Sequence, residues 1–479
     1  MKHYDLSKMH KRTKLITTVG PSCHSKEKIL ELFENGMTTV RLNFSHANFV
    51  EHGERLKWIH EIRKEKGIPI SIMLDTKGPE IRVGKMKDGK QKIVAGNVIT
   101  IYSNPDDFDK RECTAMELQM SYDMSKDVKV GDTVLVDDGK LNLTVIEVKK
   151  QVVKAKAFNT HEVKTNKRVN LPGVNFSLPF LAEKDHKDII FGIENGIDYI
   201  AASFVNTAEN VNEIRKILAD NNAKHVQIIS KIESQIGIDN IDKIIDASDG
   251  IMVARGDLGL EIPYYDVPYW EKIMIRKCRE KGKIVIVATQ MLESMTDNPA
   301  PTRAEVTDVY YAVELGADAT MLSGESANGE YPFIATNTMS TIAKRAEIEF
   351  YHKLYYSTQL ATVKKVSKNG ERSIIAGKVA DKVIDGDYEY AIIASRTGSL
   401  LKEVSKFRPN VRILGVCPEE KLWTAFGVWH SVFMTKIDDF DKFILDKKAI
   451  NDVAKNHGAK PGEKILFVRN ETIEDIIIK

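Results

Sequence analysis

The stretch SDGIMVARGDLGLEIP, residues 248–263, starts as a buried strand and then breaks its own pattern. Ile251, Met252, Val253 and Ala254 read as core, yet Arg255, Gly256, Asp257 and Gly259 follow at once. An apolar strand that ends in a base, an acid and glycines fits a parallel α/β fold, where the reactive groups sit at the carboxyl ends of the strands. Upstream lie similar units, YIAASF (199–204) and VQIISKIE (226–233), and downstream KIVIVATQ (283–290) and DATMLSG (318–324), each separated by a helical pattern. Nearer the N-terminus, TKLITTVG (13–20), TTVRLNFS (38–45) and IPISIMLDT (68–76) alternate with helices in the same way, which is the βαβ rhythm of a parallel sheet.

The eight strands predict a closed (β/α)8 TIM barrel, and the length of the two alternating segments approaches the ~250 residues typical of that fold. An open doubly wound sheet is the alternative. From Lys77 to Leu178 the rhythm gives way to turns and short alternating strands, the pattern of an inserted β-rich, barrel-like lid. After the barrel come YAIIAS, VRILGVC, SVFMTKI, EKILFVR and EDIIIK, a further α/β pattern. The expected organisation is therefore barrel (1–77), lid (78–178), barrel again (179–345) and a C-terminal α/β domain (346–479).

A chain of 479 residues with 42% hydrophobic and 29% charged residues has the balance of a globular protein of about three domains. A net charge of only +2 argues against nucleic acid or an anionic membrane as the main partner. Cys23, Cys113, Cys278 and Cys417 lie far apart, which excludes a CxxC zinc pair and points to a reducing, cytoplasmic setting. The basic opening MKHYDLSKMHKRTK leads into no apolar core of a signal peptide, and no apolar run approaches 18 residues.

The strand ends carry the chemistry. Arg41, Asn43 and Ser45 share one strand face, a guanidinium for phosphate beside two neutral oxygens for a cation. The same residues would also serve as a turn-forming strand cap. Asp75 and Thr76 add hard oxygen ligands and Lys77 a compact positive charge, before Gly78-Pro79 turns the chain into the insert as a hinge. Lys231 and Glu233, two apart, make a costly buried pair for stability alone, and suit a transferring phosphoryl group beside a metal carboxylate. Arg255 and Asp257 are read as sharing the next strand's face, so Glu233 and Asp257 face each other across neighbouring strands. Two such carboxylates with no His or Cys nearby call for Mg2+ or Mn2+. Gly256 and Gly259 leave bare backbone for an anionic ligand. Thr289, Ser323 and Glu325, from the last two strands, form a candidate proton relay. The sequence has neither a Walker motif nor a GxGxxG turn after a strand, so a nucleotide must rest on the barrel rim and the insert. Arg82 and the pair Lys167-Arg168 are its candidate phosphate contacts, or else surface charges of a small β domain.

Taken together, TKLITTVGPS, VRLNFSH, LDTKGPEIR, VNLPG, LAEKD, ISKIES, MVARGDLGLEIP, ATQMLESM, PTRAEVTDV and MLSGES resemble the pyruvate kinase family, in order, over about residues 13–332. The resemblance implies phosphoryl transfer from phosphoenolpyruvate to ADP, giving pyruvate and ATP at the end of glycolysis. It implies Glu233 and Asp257 as divalent-metal ligands, and Asn43, Ser45, Asp75 and Thr76 as the monovalent-cation site, with Glu80 the residue type associated with K+ dependence. Arg41, Lys231, Gly256, Asp257 and Thr289 would contact phosphoenolpyruvate, with Lys231 stabilising the phosphoryl in flight. Arg82 and Lys167 would contact ADP/ATP, with Asn43 and His46 nearby. SRTGSLLKEVSKFRP (395–409) resembles the family's effector loop, in which Ser395, Thr397, Gly398 and Ser399 would hold a sugar phosphate. The tail GEKILFVRNETIEDIIIK lacks the glycine-rich loop that usually completes that site, which puts activation by fructose 1,6-bisphosphate in question. The family is usually homotetrameric.

Two rivals make different demands. A metal-dependent pyruvate or oxaloacetate lyase would not need the K+ oxygens, Lys231 or a nucleotide lid. A dead sensor of sugar phosphates would have lost at least one of Arg41, Lys231, Glu233 and Asp257, and all four are present.

Overall fold

The structure, a computed structural model, describes Leu6 and residues 9–175, 177–367 and 370–479. Part of the basic opening stretch, Met1 to Asp5 with Ser7 and Lys8, lies outside the described residues.

Eight parallel strands close into a barrel: β1 (Lys14–Thr18), β2 (Thr39–Asn43), β3 (Ser71–Asp75), β4 (Tyr199–Ala202), β5 (Gln227–Ile232), β6 (Gly250–Ala254), β7 (Ile284–Ala288) and β8 (Ala319–Leu322). They run in sequence order around the ring, and β8 pairs back onto β1, so the open-sheet alternative is excluded. Alternation of side chains explains why the strands read as unbroken apolar runs. Met252 points into the lumen with Ile16, Met73 and Ile286, while Ile251 and Val253 face the surrounding helices. Each such buried Val, Ile or Leu contributes about 1.5–3 kcal/mol. One connecting helix shows conventional capping at both ends. In Phe49–Lys66, Asn48 accepts from the backbone N–H groups of Val50 and Glu51, and Gly67 ends the helix at φ +65°.

Between β3 and β4 the chain builds a seven-stranded, mostly antiparallel sheet and a two-stranded companion around their own core. An isolated antiparallel bridge, Val83 to Met120, joins the two edges of the larger sheet, which makes it barrel-like. Beyond the barrel, β9 (Tyr390–Ala394), β10 (Arg412–Cys417), β11 (Val432–Lys436), β12 (Lys464–Arg469) and β13 (Thr472–Ile477) form one sheet in the order β11-β10-β9-β12-β13. This C-terminal unit covers the amino-end mouth of the barrel. Trp429 Nε1 donates to Gln227 Oε1 at 3.1 Å, and Arg408 pairs with Asp318 at 2.7 Å. The carboxyl-end mouth is thereby left to the insert. No helix among the described residues is long and apolar enough to cross a membrane.

One local expectation is corrected. Arg255 and Asp257 do not share a strand face, because β6 ends at Ala254 and Arg255–Glu261 is a helix. Residues two apart on a helix point in different directions, and these two part company.

Candidate active site

At the carboxyl ends of β2 to β6 lies a polar cavity of about 170 Å3. Its wall contains Arg41, Asn43, Ser45 and His46 from the end of β2, Asp75 from β3, Lys231 and Glu233 from β5, and Asp257 beyond β6. Residues up to 216 positions apart meet here because the barrel gathers its strand ends at one mouth.

The floor is a chain of alternating charges. Arg41 Nε donates to Asp75 Oδ2 at 2.6 Å, and Arg41 Nη1 to Thr18 Oγ1 at 2.8 Å. Lys231 Nζ reaches Asp75 Oδ1 and Glu233 Oε1, each at 3.1 Å, and Ser203 Oγ at 2.8 Å. Glu233 Oε2 accepts the backbone N–H of Phe204 at 2.7 Å. Burial opposes the charge on Asp75, but Arg41 and Lys231 outweigh it and keep the carboxyl below its usual range. Burial also opposes the Lys231 ammonium, and Asp75 and Glu233 overcome that and raise its pKa. Glu233 goes the other way: burial, with Asp257 adding to it against Lys231, pushes it up to about 7.

The insert supplies the roof. Arg168 Nη1 pairs with Asp257 Oδ1, and its guanidinium lies 4.8 Å from the ring centre of Phe204. Arg82 donates to Glu80 Oε2 at 2.7 Å, and Lys77 sits 3.6 Å from the same oxygen. Lys167 is elsewhere. Its Nζ pairs with Asp137 at 2.8 Å, and it does not line the cavity. Adjacent residues entering the strand Arg168–Asn170 point to opposite sides, so Arg168 takes the position that Lys167 was expected to hold.

Thr76 lies just behind the wall, where its Oγ1 accepts the backbone N–H of Ser203 at 3.0 Å. Gly256 donates its backbone N–H to Thr289 Oγ1 at 2.7 Å. Thr289 and Gln290 both have positive φ, +69° and +54°, a strained conformation for a β-branched residue. Arg255 braces this turn from outside the cavity, donating to Thr289 O at 2.8 Å while pairing with Asp308 at 2.5 Å and Glu271 at 3.3 Å.

The candidate relay is not joined by hydrogen bonds between its side chains. Glu325 accepts the backbone N–H groups of Ser323 at 2.7 Å and Leu292 at 3.2 Å, and burial raises its pKa. Ser323 Oγ is buried without a hydrogen-bond partner among the described residues. Ser203 is the site residue that a strand-by-strand reading passes over, whereas Arg168 was among the candidate phosphate contacts as one of a pair with Lys167. Ser203 had a signal, since it is the polar residue that ends the apolar run YIAAS.

In the C-terminal unit, Gly398 donates its backbone N–H to Ser395 Oγ at 2.9 Å, and Thr397 Oγ1 lies 3.1 Å from Ser399 Oγ at the start of the helix Ser399–Lys406. The neighbouring strand ends in a tight hairpin in which Arg469 pairs with Thr472, leaving only Asn470 and Glu471 in the turn.

Among the described residues no three His, Cys, Asp or Glu side chains converge as a metal-holding group. Two carboxylates with oxygen donors only, Glu233 and Asp257, suit Mg2+, which keeps several waters and takes substrate oxygens as further ligands.

Comparison with known proteins bears on the whole chain. The family described as "Pyruvate kinase, barrel domain" matches residues 10–336. The pyruvate kinase of Mycoplasma pneumoniae is 42% identical over 95% of this chain and 96% of its own length. That of Bacillus licheniformis is 45% identical over 88% of this chain and 71% of its own. The crystal structure of a pyruvate kinase from Cryptosporidium parvum superposes with a TM-score of 0.92 at 33% identity, covering 99% of this chain and 97% of the other.

Proposed function

The chain belongs to the pyruvate kinase family and transfers the phosphoryl group of phosphoenolpyruvate to ADP, and from that premise we propose how its residues share the work. Arg41 and Lys231 bind the phosphate of phosphoenolpyruvate, and Gly256 with Thr289 receives its carboxylate end. Arg82 and Arg168 hold the phosphates of ADP, with Asn43 and His46 beside them. Lys167 reaches nucleotide only by leaving Asp137. Lys231 stabilises the phosphoryl as it moves, a role that needs a buried, permanently charged donor, and the raised pKa of its ammonium supports this.

Glu233 and Asp257 would hold Mg2+ or Mn2+, and Asn43, Ser45, Asp75 and Thr76 would hold K+, with Glu80 near. When bound, these cations neutralise charge on the phosphoryl and enolate oxygens. Thr289, Ser323 and Glu325 are assigned to proton delivery at the enolate carbon. Burial raises the pKa of Glu325, and Ser323 Oγ has no hydrogen-bond partner among the described residues, which supports this role. The insert closes over the site and excludes water, turning about Lys77 to Pro79.

The observation that carries this reading is Lys231 suspended between Asp75 and Glu233 at 3.1 Å from each. We extend it to the organisation 1–77, 78–178, 179–345 and 346–479, to a cytoplasmic homotetramer, and to Ser395, Thr397, Gly398 and Ser399 as a sugar-phosphate effector loop. A pyruvate-forming assay with phosphoenolpyruvate and ADP, with and without Mg2+ and K+, tests the core. Pyruvate should form only with the divalent cation present and should rise with K+. No pyruvate under full conditions would remove the reading.

A further inference from the structure

The motif LAEKD, residues 181–185, lines no part of the cavity, yet its helix, Glu183–Glu194, grips both loops that build one side of it. Asp185 is 1% exposed. Its Oδ1 accepts the backbone N–H groups of Lys77 and Gly78, each at 3.1 Å, and its Oδ2 accepts that of Ala182 at 3.1 Å. Lys77–Gly78 is where the chain leaves the barrel for the insert, and Ala182 is where it has just returned. One carboxylate therefore clasps both crossings. From the inner side Ser203 closes on the same point, since a Cβ at Gly78, whose φ is +69°, would meet Ser203 Cβ at 2.8 Å. One residue earlier, Lys184 Nζ donates to Phe44 O at 2.8 Å and pairs with the fully buried Asp188 at 2.6 Å. That contact fixes the loop that carries Ser45 and His46.

We propose that Asp185 is a positioning residue for the nucleotide side of the reaction. Resting on the assignment of Arg82 to that side, it sets the angle at which the insert leaves the barrel and so where Arg82, with Lys77 and Glu80 paired around it, stands. Three backbone N–H groups converge on one buried carboxylate, and such charge-assisted bonds are directional and strong. A loop clasped in this way moves as a rigid body about the point held, so loss of the clasp misplaces the roof and leaves the floor of Arg41, Lys231 and Glu233 in place.

The test compares Asp185→Ala and Asp185→Asn with the wild-type enzyme in steady-state kinetics. Asp185→Ala should raise the KM for ADP roughly tenfold, in line with loss of hydrogen bonds to a charged group, and change the KM for phosphoenolpyruvate by less than about twofold on the same ground. Asp185→Asn keeps one acceptor oxygen for Lys77 and Gly78 and should recover most of the ADP affinity. A purely structural role would lower activity and melting temperature with both KM values unchanged, and that result overturns the proposal. Hydrogen exchange in the wild type adds a reading that needs no variant to fold. The amides of Lys77 and Gly78 should exchange slowly although they lie in a loop, and fast exchange there refutes the clasp. A wild-type enzyme inactive with phosphoenolpyruvate and ADP would count against the functional reading, whereas an active one with an unshifted ADP KM in Asp185→Ala counts against this inference alone.

Discussion

Replacing Lys231 by methionine removes the ammonium and keeps an unbranched chain to fill the same channel. The group is 8% exposed and stands 3.1 Å from two carboxylate oxygens. At that range and an effective dielectric near 20, a unit charge interacts with an oxyanion by on the order of 5 kcal/mol. Only the part gained on reaching the transition state lowers the barrier, and each ~1.4 kcal/mol is tenfold in rate. We therefore expect kcat to fall by roughly a thousandfold, in the range found when a single donor is removed from a preorganised site. Asp75 retains Arg41 as a partner, so the fold survives. Glu233 loses the cation that was lowering its pKa and rises further. The assay is therefore run at pH 8 with saturating Mg2+, so that lost turnover is not simple protonation of a metal ligand. Pyruvate formation is followed together with far-UV circular dichroism and a thermal melt. A folded variant that turns over within tenfold of wild type would refute the assignment of Lys231.

The metal-free protein should lose stability between about pH 4.5 and 7, because Glu233 and Glu271, both pushed up to about 7, bind protons in the folded state that the unfolded chain has released. Melts in EDTA at pH 5.5 and 7.5 should show the fall, and Mg2+ should reverse the Glu233 share; a rise with pH would contradict it. Arg168→Ala should raise the KM for ADP about tenfold or more and strengthen Mg2+ binding by freeing Asp257, which titration calorimetry would read; weaker Mg2+ binding would argue against the pairing as a competitor. Fructose 1,6-bisphosphate should leave the saturation curve for phosphoenolpyruvate unchanged, since the two-residue turn at Asn470 and Glu471 offers no loop to close over a ligand beside residues 395–399; a leftward shift of the curve would show that the effector binds without one.

The barrel was legible because its strands obey a simple rule: an unbroken apolar run, then polar residues where the strand meets solvent. ISKIES shows how far that rule reaches, for Lys231 and Glu233 stand side by side in the site as period-two alternation requires. The rule failed where the strand stopped early. VARGD reads as strand through Asp257, and the helix that begins at Arg255 turns the arginine away to Asp308 and the strained turn at Thr289. It was silent about the roof. Nothing local distinguishes Lys167 from Arg168, and which of them faces Asp257 depends on how an insert of about a hundred residues folds back over the mouth. Ser203 lay at a strand end like the others, but one serine carries too little chemistry to stand out until Lys231 and Thr76 are seen bonded to it.

The seam between β3 and β4 has a consequence of its own. These neighbouring staves pair directly, Met73 with Tyr199 and Asp75 with Ala201, although the whole insert lies between them in the chain. No rung of the ring runs through the excursion, so the insert is a detachable flap on a container already sealed without it. Swinging it sacrifices no barrel hydrogen bond. If the insert moves as proposed, the ring can keep the charges on its strand ends in register while the cover turns about its attachment.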